Sequence, residues 1–217
     1  MSLRLKSVVL VLFIFLLPSL TYASPSEKAD LVQHTILIMG DSISAGYGID
    51  KTKGWVALLE KKLKANVLGE FRIANASISG ETSTGGNTRL GAQLKKHSPN
   101  LVIIELGAND ALRGTPIKHM TRNLESMITA SIKSGADVML LGMRIPPNYG
   151  ERYTEQFASA YVQLAKKHEL LLVPFLLDGV AGLDGMMQTD GIHPTELGQP
   201  VMESLVWEKM KMWLDRH

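Results

Sequence analysis

The chain has 217 residues, 45 % of them hydrophobic and 20 % charged, with 23 basic and 21 acidic side chains and no cysteine. That length suffices for one domain with a sizeable core, and without cysteine its stability must come from packing; thiol catalysis and thiolate metal sites are excluded. The bases are scattered and no polyanion partner is implied, which argues against a nucleic-acid-binding protein.

The first residues read as a secretory leader. Arg4 and Lys6 precede an unbroken apolar run from Val8 to Leu17, Pro18 breaks it, and Thr21-Tyr22-Ala23 carries small residues where a signal peptidase inspects the chain. The run is about half of the roughly 20 residues that a spanning helix needs. No cysteine follows it to carry a lipid. The expectation is a signal peptide over 1–23, one mature domain over 24–217, export to the periplasm or the medium, and no stable membrane anchor after cleavage. The leader holds two bases and no acid, so the mature chain carries 21 of each sign and no net charge.

Residues 24–33 form a polar lead-in, expected to be loosely ordered. Thr35 to Met39 is a continuous apolar stretch ending at Gly40, as in a buried parallel strand. Trp55, Leu58, Leu59 and Leu63 recur at helical spacing and predict a helix over 54–65. A second strand is expected near Phe71 to Ala74, and Leu101 to Leu106 is the clearest strand. Pro116 to about Lys133 reads as a long helix, with Pro116 suited to its first turn. Val138 to Leu141 and Leu170 to Val173 are further strands, Tyr153 to Lys167 a helix, and 195–213 the closing helix. Lys61-Lys62, Lys95-Lys96 and Lys166-Lys167 each sit late in a predicted helix, where they complement the dipole. Alternation of strand and helix predicts an α/β domain with a parallel sheet covered on both faces.

In such sheets ligands bind beyond the carboxyl ends of the strands. Four segments converge there: Gly40-Asp41-Ser42-Ile43-Ser44, Ala76 to Thr82, Gly107-Ala108-Asn109-Asp110, and Asp190-Gly191-Ile192-His193-Pro194. Ser42 just past a buried strand can point its hydroxyl into a cleft, although Asp41 and Ser42 are also strong helix caps. Asp190 and His193, three residues apart, reach the same side of one turn, so the carboxylate can hold one ring nitrogen while the other takes a serine proton. Capping of the last helix by this pair is the plainer alternative. Gly80 lets its backbone N–H approach a substrate oxygen, Asn109 offers a side-chain amide, and the Ser42 N–H completes a set of oxyanion donors.

GDSIS at 40–44, the Gly80 block, GAND at 107–110 and DGIHP at 190–194 together resemble the four ordered blocks of the SGNH, or GDSL-type, hydrolases. ASISGETS, LGANDALRG, MRIPPNYGERY and QTDGIHP look most like a bacterial exported branch described as thioesterase, lysophospholipase or arylesterase. The resemblance spans nearly the whole mature chain. It implies a flavodoxin-like three-layer αβα sandwich with a five-stranded parallel sheet, Ser42 as nucleophile, His193 as base, Asp190 behind it, and Ser42, Gly80 and Asn109 around the oxyanion. It implies no metal or cofactor, and a small acyl ester or thioester as substrate for what is expected to be a monomer. Substrate contacts are expected from Asp41, from Leu112 in a mobile 111–116 loop, and from Arg144, Ile145, Pro146 and Tyr149 in the loop after the fourth strand. Ala108 stands where the family's commonest form has a second glycine.

Three rivals keep part of this pattern. A carbohydrate O-acetylesterase or an acyltransferase would use the same fold, although Trp55, Trp207 and Trp213 are the only tryptophans available as sugar platforms. A flavodoxin-like module would use Gly40 to Gly48 to cradle phosphate or FMN, leaving DGIHP and Asn109 without a role. A metal hydrolase would lack a third ligand at suitable spacing beside Asp190 and His193.

Overall fold

The computed structural model describes residues 33–67 and 69–217. The leader, the predicted cleavage after Ala23, and residues 24–32 of the lead-in lie outside the described residues. Five strands form the sheet: β1 (Gln33–Gly40), β2 (Glu70–Asn75), β3 (Leu101–Glu105), β4 (Asp137–Leu141) and β5 (Leu171–Val173). Their order is β2-β1-β3-β4-β5, and every pairing is parallel. In β1 Ile36 to Met39, and in β3 Leu101 to Ile104, all have zero exposure. That explains their uninterrupted apolar sequence, since a central parallel strand is covered on both faces.

Helices α2 (Trp55–Asn66) and α7 (Gln199–Leu214) pack against one another. A second packed set comprises α3 (Ser83–His97), α5 (Ile117–Lys133) and α6 (Glu151–Lys167). With the sheet these make the three-layer α/β arrangement. Two short helices, α1 (Ser42–Ala45) and α4 (Ala108–Leu112), follow β1 and β3 directly. They stand where the strand order reverses, because connections leave β1 on one side and β3 on the other. Such a switch point opens a crevice beyond the strand ends.

Three boundaries that bear on the site differ from the sequence expectation, and one helix has a start that the sequence does not predict. Gln33 already pairs with Glu70, so β1 takes in the last residue of the lead-in. Pro116 caps α5 instead of lying in its first turn. The last helix starts at Gln199, not at 195, because residues 194–198 are held in turns: Met187 bridges Pro194 and Thr195 N–H donates to the Met186 carbonyl. Helix α3 starts at Ser83 despite two glycines in its first four residues. Thr82 caps it through Gly85 N–H, and buried Asp110 accepts from both the Ser83 N–H (2.7 Å) and the Ser83 hydroxyl (2.6 Å), tying α3 to α4.

Candidate active site

The turn that carries Ser42 is built by β1 and its cap. Asp41 Oδ1 accepts from the Ile43 N–H at 3.0 Å, the side-chain cap that starts α1. Ser42 is therefore the first residue of a helix, and its own N–H has no acceptor within that helix. The expected cap is thus supplied by Asp41, and its neighbour Ser42 is left with its side chain free of the cap. Ser42 is 9 % exposed, and its hydroxyl lies 2.8 Å from His193 Nε2 across 151 positions of chain.

His193 is positioned by the 174–194 loop after β5. Asp190 Oδ1 accepts from the Ile192 N–H (2.9 Å) and the His193 N–H (3.0 Å), and Oδ2 lies 2.7 Å from His193 Nδ1. With its proton on Nδ1 the ring donates to Asp190 and presents a bare Nε2 to the Ser42 hydroxyl. The His193 ring bond first, then the two backbone N–H bonds, pull the Asp190 carboxyl down to about 2. Capping of the last helix by this pair is ruled out by position, since α7 begins only at Gln199. Gln188 clamps the loop: its N–H donates to the His193 carbonyl at 2.7 Å, and its amide donates to the carbonyls of Pro194 (3.0 Å) and Tyr47 (2.9 Å). The exposed Tyr47 ring leans against the His193 ring, centroids 4.6 Å apart.

Gly80 sits at φ +78°, a left-handed conformation natural to glycine. Its carbonyl accepts from Arg113 Nη2 at 2.8 Å, while its N–H has no acceptor among the described residues. The Ile78 N–H, bonded to the Gly40 carbonyl at 3.1 Å, fastens this turn to the one that carries Ser42. Asn109, half-buried in α4, donates one amide hydrogen to Asp41 Oδ2 at 3.0 Å and keeps the second free.

Beside these groups opens a cavity of about 460 Å³, lined among others by Leu112, Ile145, Pro146, Phe175 and Met143. Ile43, Ala108 and Ile192 also line it, and each is the chain neighbour of Ser42, Asn109 or His193. Arg144 lies on its wall with the guanidinium 5.3 Å from the Phe175 ring centre.

Two expected substrate contacts are corrected. Asp41 is 1 % exposed, and its oxygens are committed to Ile43 and Asn109, so it supports the turn from below. Tyr149 stands exposed in a short 3-10 turn, Pro147–Tyr149, and does not line the cavity. Sequence reasoning missed Glu105, Tyr47, Gln188 and Phe175. Glu105 alone left a trace, as a carboxyl inside an otherwise apolar strand run.

A family model described as GDSL-like Lipase/Acylhydrolase family matches residues 38–200. The chain is 50 % identical over 177 residues to "Esterase TesA" of Pseudomonas aeruginosa, covering 82 % of this chain and 88 % of the relative. It is 42 % identical over 166 residues to "Thioesterase 1/protease 1/lysophospholipase L1" of Escherichia coli strain K12, covering 76 % and 78 %. The crystal structure of the esterase EstA from Pseudoalteromonas sp., inhibited by monoethylphosphonate, superposes with a TM-score of 0.79 at 42 % identity, covering 84 % of this chain and 99 % of that one.

Proposed function

The chain belongs to the GDSL-like lipase/acylhydrolase family, and from that premise we propose that it is a serine esterase hydrolysing oxygen esters and thioesters of acyl chains. The observation that carries the reading is the relay of 2.8 Å from Ser42 Oγ to His193 Nε2 and 2.7 Å from His193 Nδ1 to Asp190. A hydroxyl 151 positions away meets a local carboxylate–imidazole pair in the order that nucleophile activation requires.

The mechanism follows from these positions. Ser42 Oγ attacks the acyl carbonyl while His193 Nε2 takes its proton, and Asp190 holds the ring and balances the imidazolium. The developing oxyanion is met by the N–H groups of Ser42 and Gly80 and by the second amide hydrogen of Asn109. His193 then hands the proton to the departing alcohol or thiol, leaving an acyl group on Ser42. Water attacks that acyl group by the same route, with His193 again taking and returning the proton. The acyl chain lies in the apolar cavity, whose volume is in the range of small-ligand sites. The names of the relatives, esterase and thioesterase/lysophospholipase, support this substrate class.

Two rivals lose ground on specific contacts. A phosphate cradle at 40–48 would face the buried acids Asp41 and Glu105, and Ser44 already donates to Glu105 at 2.7 Å. A sugar platform would need an accessible tryptophan, but Trp55 and Trp213 are buried and Trp207 lies beneath Lys62. We also read the protein as an exported monomer, cleaved after Ala23. The leader sequence supports the export, and among the described residues no helix is long and apolar enough to cross a membrane.

The test is a turnover profile of the purified mature protein on matched oxygen esters and thioesters across acyl lengths. Both classes are expected to be hydrolysed, and Ser42→Ala to lose both in parallel with an unchanged melting curve. Retention of most turnover in folded Ser42→Ala protein overturns the reading.

A further inference from the structure

Glu105 ends β3 with no exposure at all, directly paired in register with Gly40. Its Oε2 accepts from the Ser44 hydroxyl at 2.7 Å and from the Asp41 N–H at 3.2 Å, and its Oε1 is buried without a partner. A Cβ on residue 40 would lie 2.8 Å from that Oε2 and 2.7 Å from Ser44, so the glycine before the nucleophile turn makes room for this carboxyl. An ionised carboxylate with one oxygen orphaned in the core is costly, and proteins avoid it by taking up a proton. The cluster thus contains two buried carboxyls, Glu105 and Asp41, set close together beneath Ser42. Two such neighbours do not both ionise readily.

They are not equivalent. Asp41 accepts from the Ile43 N–H and the Asn109 amide and feels the His193 ring, so burial raises its carboxyl only to about 6. Burial first, and the Asp41 charge second, push Glu105 well above the carboxylate range. The other titratable group acting with both carboxyls is buried Tyr161 of α6, whose hydroxyl donates to the Leu106 carbonyl at 3.0 Å. It brings no positive charge to Glu105.

We infer that Glu105 is a positioning residue: held neutral, it leaves the single negative charge of the pair on Asp41, and that charge fixes the Asn109 amide with its free hydrogen toward the substrate oxygen. An amide can present either its NH₂ or its oxygen. A carboxylate at Asp41 accepts only, so it selects the NH₂ and makes a charge-assisted bond with it. Loss of that selection would let the amide turn its oxygen to the oxyanion. The inference rests on the proposed role of Asn109 as an oxyanion donor.

Three measurements on the full mature enzyme test it. Infrared difference spectra near pH 8 should contain the carbonyl band of a protonated carboxylic acid, absent in Glu105→Gln. Glu105→Ala removes the acceptor that holds the Asp41 N–H and the Ser44 hydroxyl, and should lower kcat on the order of 10- to 100-fold with little change in KM; Glu105→Gln, neutral and still an acceptor there, should restore most of it. In the double variant with Asn109→Ala, the loss should be no greater than that of Asn109→Ala alone. Absence of the band, a Gln variant as impaired as Ala, or losses that multiply would each overturn the inference. If Glu105→Ala does not fold, the band and a cycle built on Glu105→Gln and Asn109→Ala still decide it, since the inference requires a Gln variant far more active than Asn109→Ala. Failure of the underlying hydrolase reading is distinguishable, because the unsubstituted enzyme would then show no turnover, or Ser42→Ala would keep it.

Discussion

Two acidic sites flank the same serine and are driven in opposite directions. Asp190 lies exposed in a loop, wrapped by two backbone N–H groups and the His193 ring, and its carboxyl is drawn down to about 2. Asp41 and Glu105 lie buried at the turn that carries Ser42, where burial raises both carboxyls. Residue type is shared, so the difference is environmental: donors and solvent on one side, an apolar sheet on the other. The exposed acid can remain charged through the reaction and steady an imidazolium. The buried pair can only share one charge, which suits it to orienting a dipole.

Variants at each site sharpen that contrast. Removing the nucleophile should cost most: Ser42→Ala is expected to lower kcat on the order of 10⁶-fold in steady-state assays. Asp190→Asn should cost about 10³- to 10⁴-fold, because the carboxamide favours the wrong ring tautomer. Near-normal activity in that variant would reduce the exposed site to a Ser–His pair. Asn109→Ala should lower kcat by about 10²- to 10³-fold with KM little changed.

The buried site should then show a trade between activity and stability. Asp41 has a folded value of about 6 against 3.8 for the free group, so the folded state holds that proton more tightly. Stability should fall as pH rises from 4 to 6, and stay lower above. Asp41→Asn removes the buried charge and should raise unfolding free energy at pH 8 by about 1–3 kcal/mol, an advantage lost below pH 4. The same variant should lower kcat about tenfold. Asp190 has the reverse sign: its contribution is present above about pH 4 and is lost as pH falls towards 2. Denaturant titrations at pH 3, 5 and 8 separate the two. The smallest effect belongs to the cavity wall, where Ala108→Gly removes one methyl and should change kcat/KM for bulky acyl groups by less than about tenfold.

The same division governs what could be read from the sequence. Strand cores such as Ile36–Met39 and Leu101–Ile104 are legible because burial on both faces forbids polar residues. The Asp190–His193 pair is legible because its geometry is local, three residues in one turn. Asp41 was misread as a substrate contact because its depth depends on α4 and β3, which arrive from 60 and more residues away. Glu105 shows in the sequence only as a carboxyl within an apolar strand run, and nothing in its neighbours tells that Ser44 and Gly40 close over it. Helix α3 lacked a readable start because Gly85 and Gly86 weaken its propensity, and Asp110, a distant partner, supplies its anchor. Local pairs are visible in one dimension, whereas depth requires the fold.

The central claim is that the Ser42 hydroxyl, and no other, is activated by His193. A fluorophosphonate probe with mass mapping of the labelled peptide tests it most directly. The account predicts one covalent adduct, on Ser42, greatly slowed in His193→Ala and absent in Ser42→Ala. A folded, hydrolytically active protein that takes the adduct elsewhere, or takes none, contradicts it.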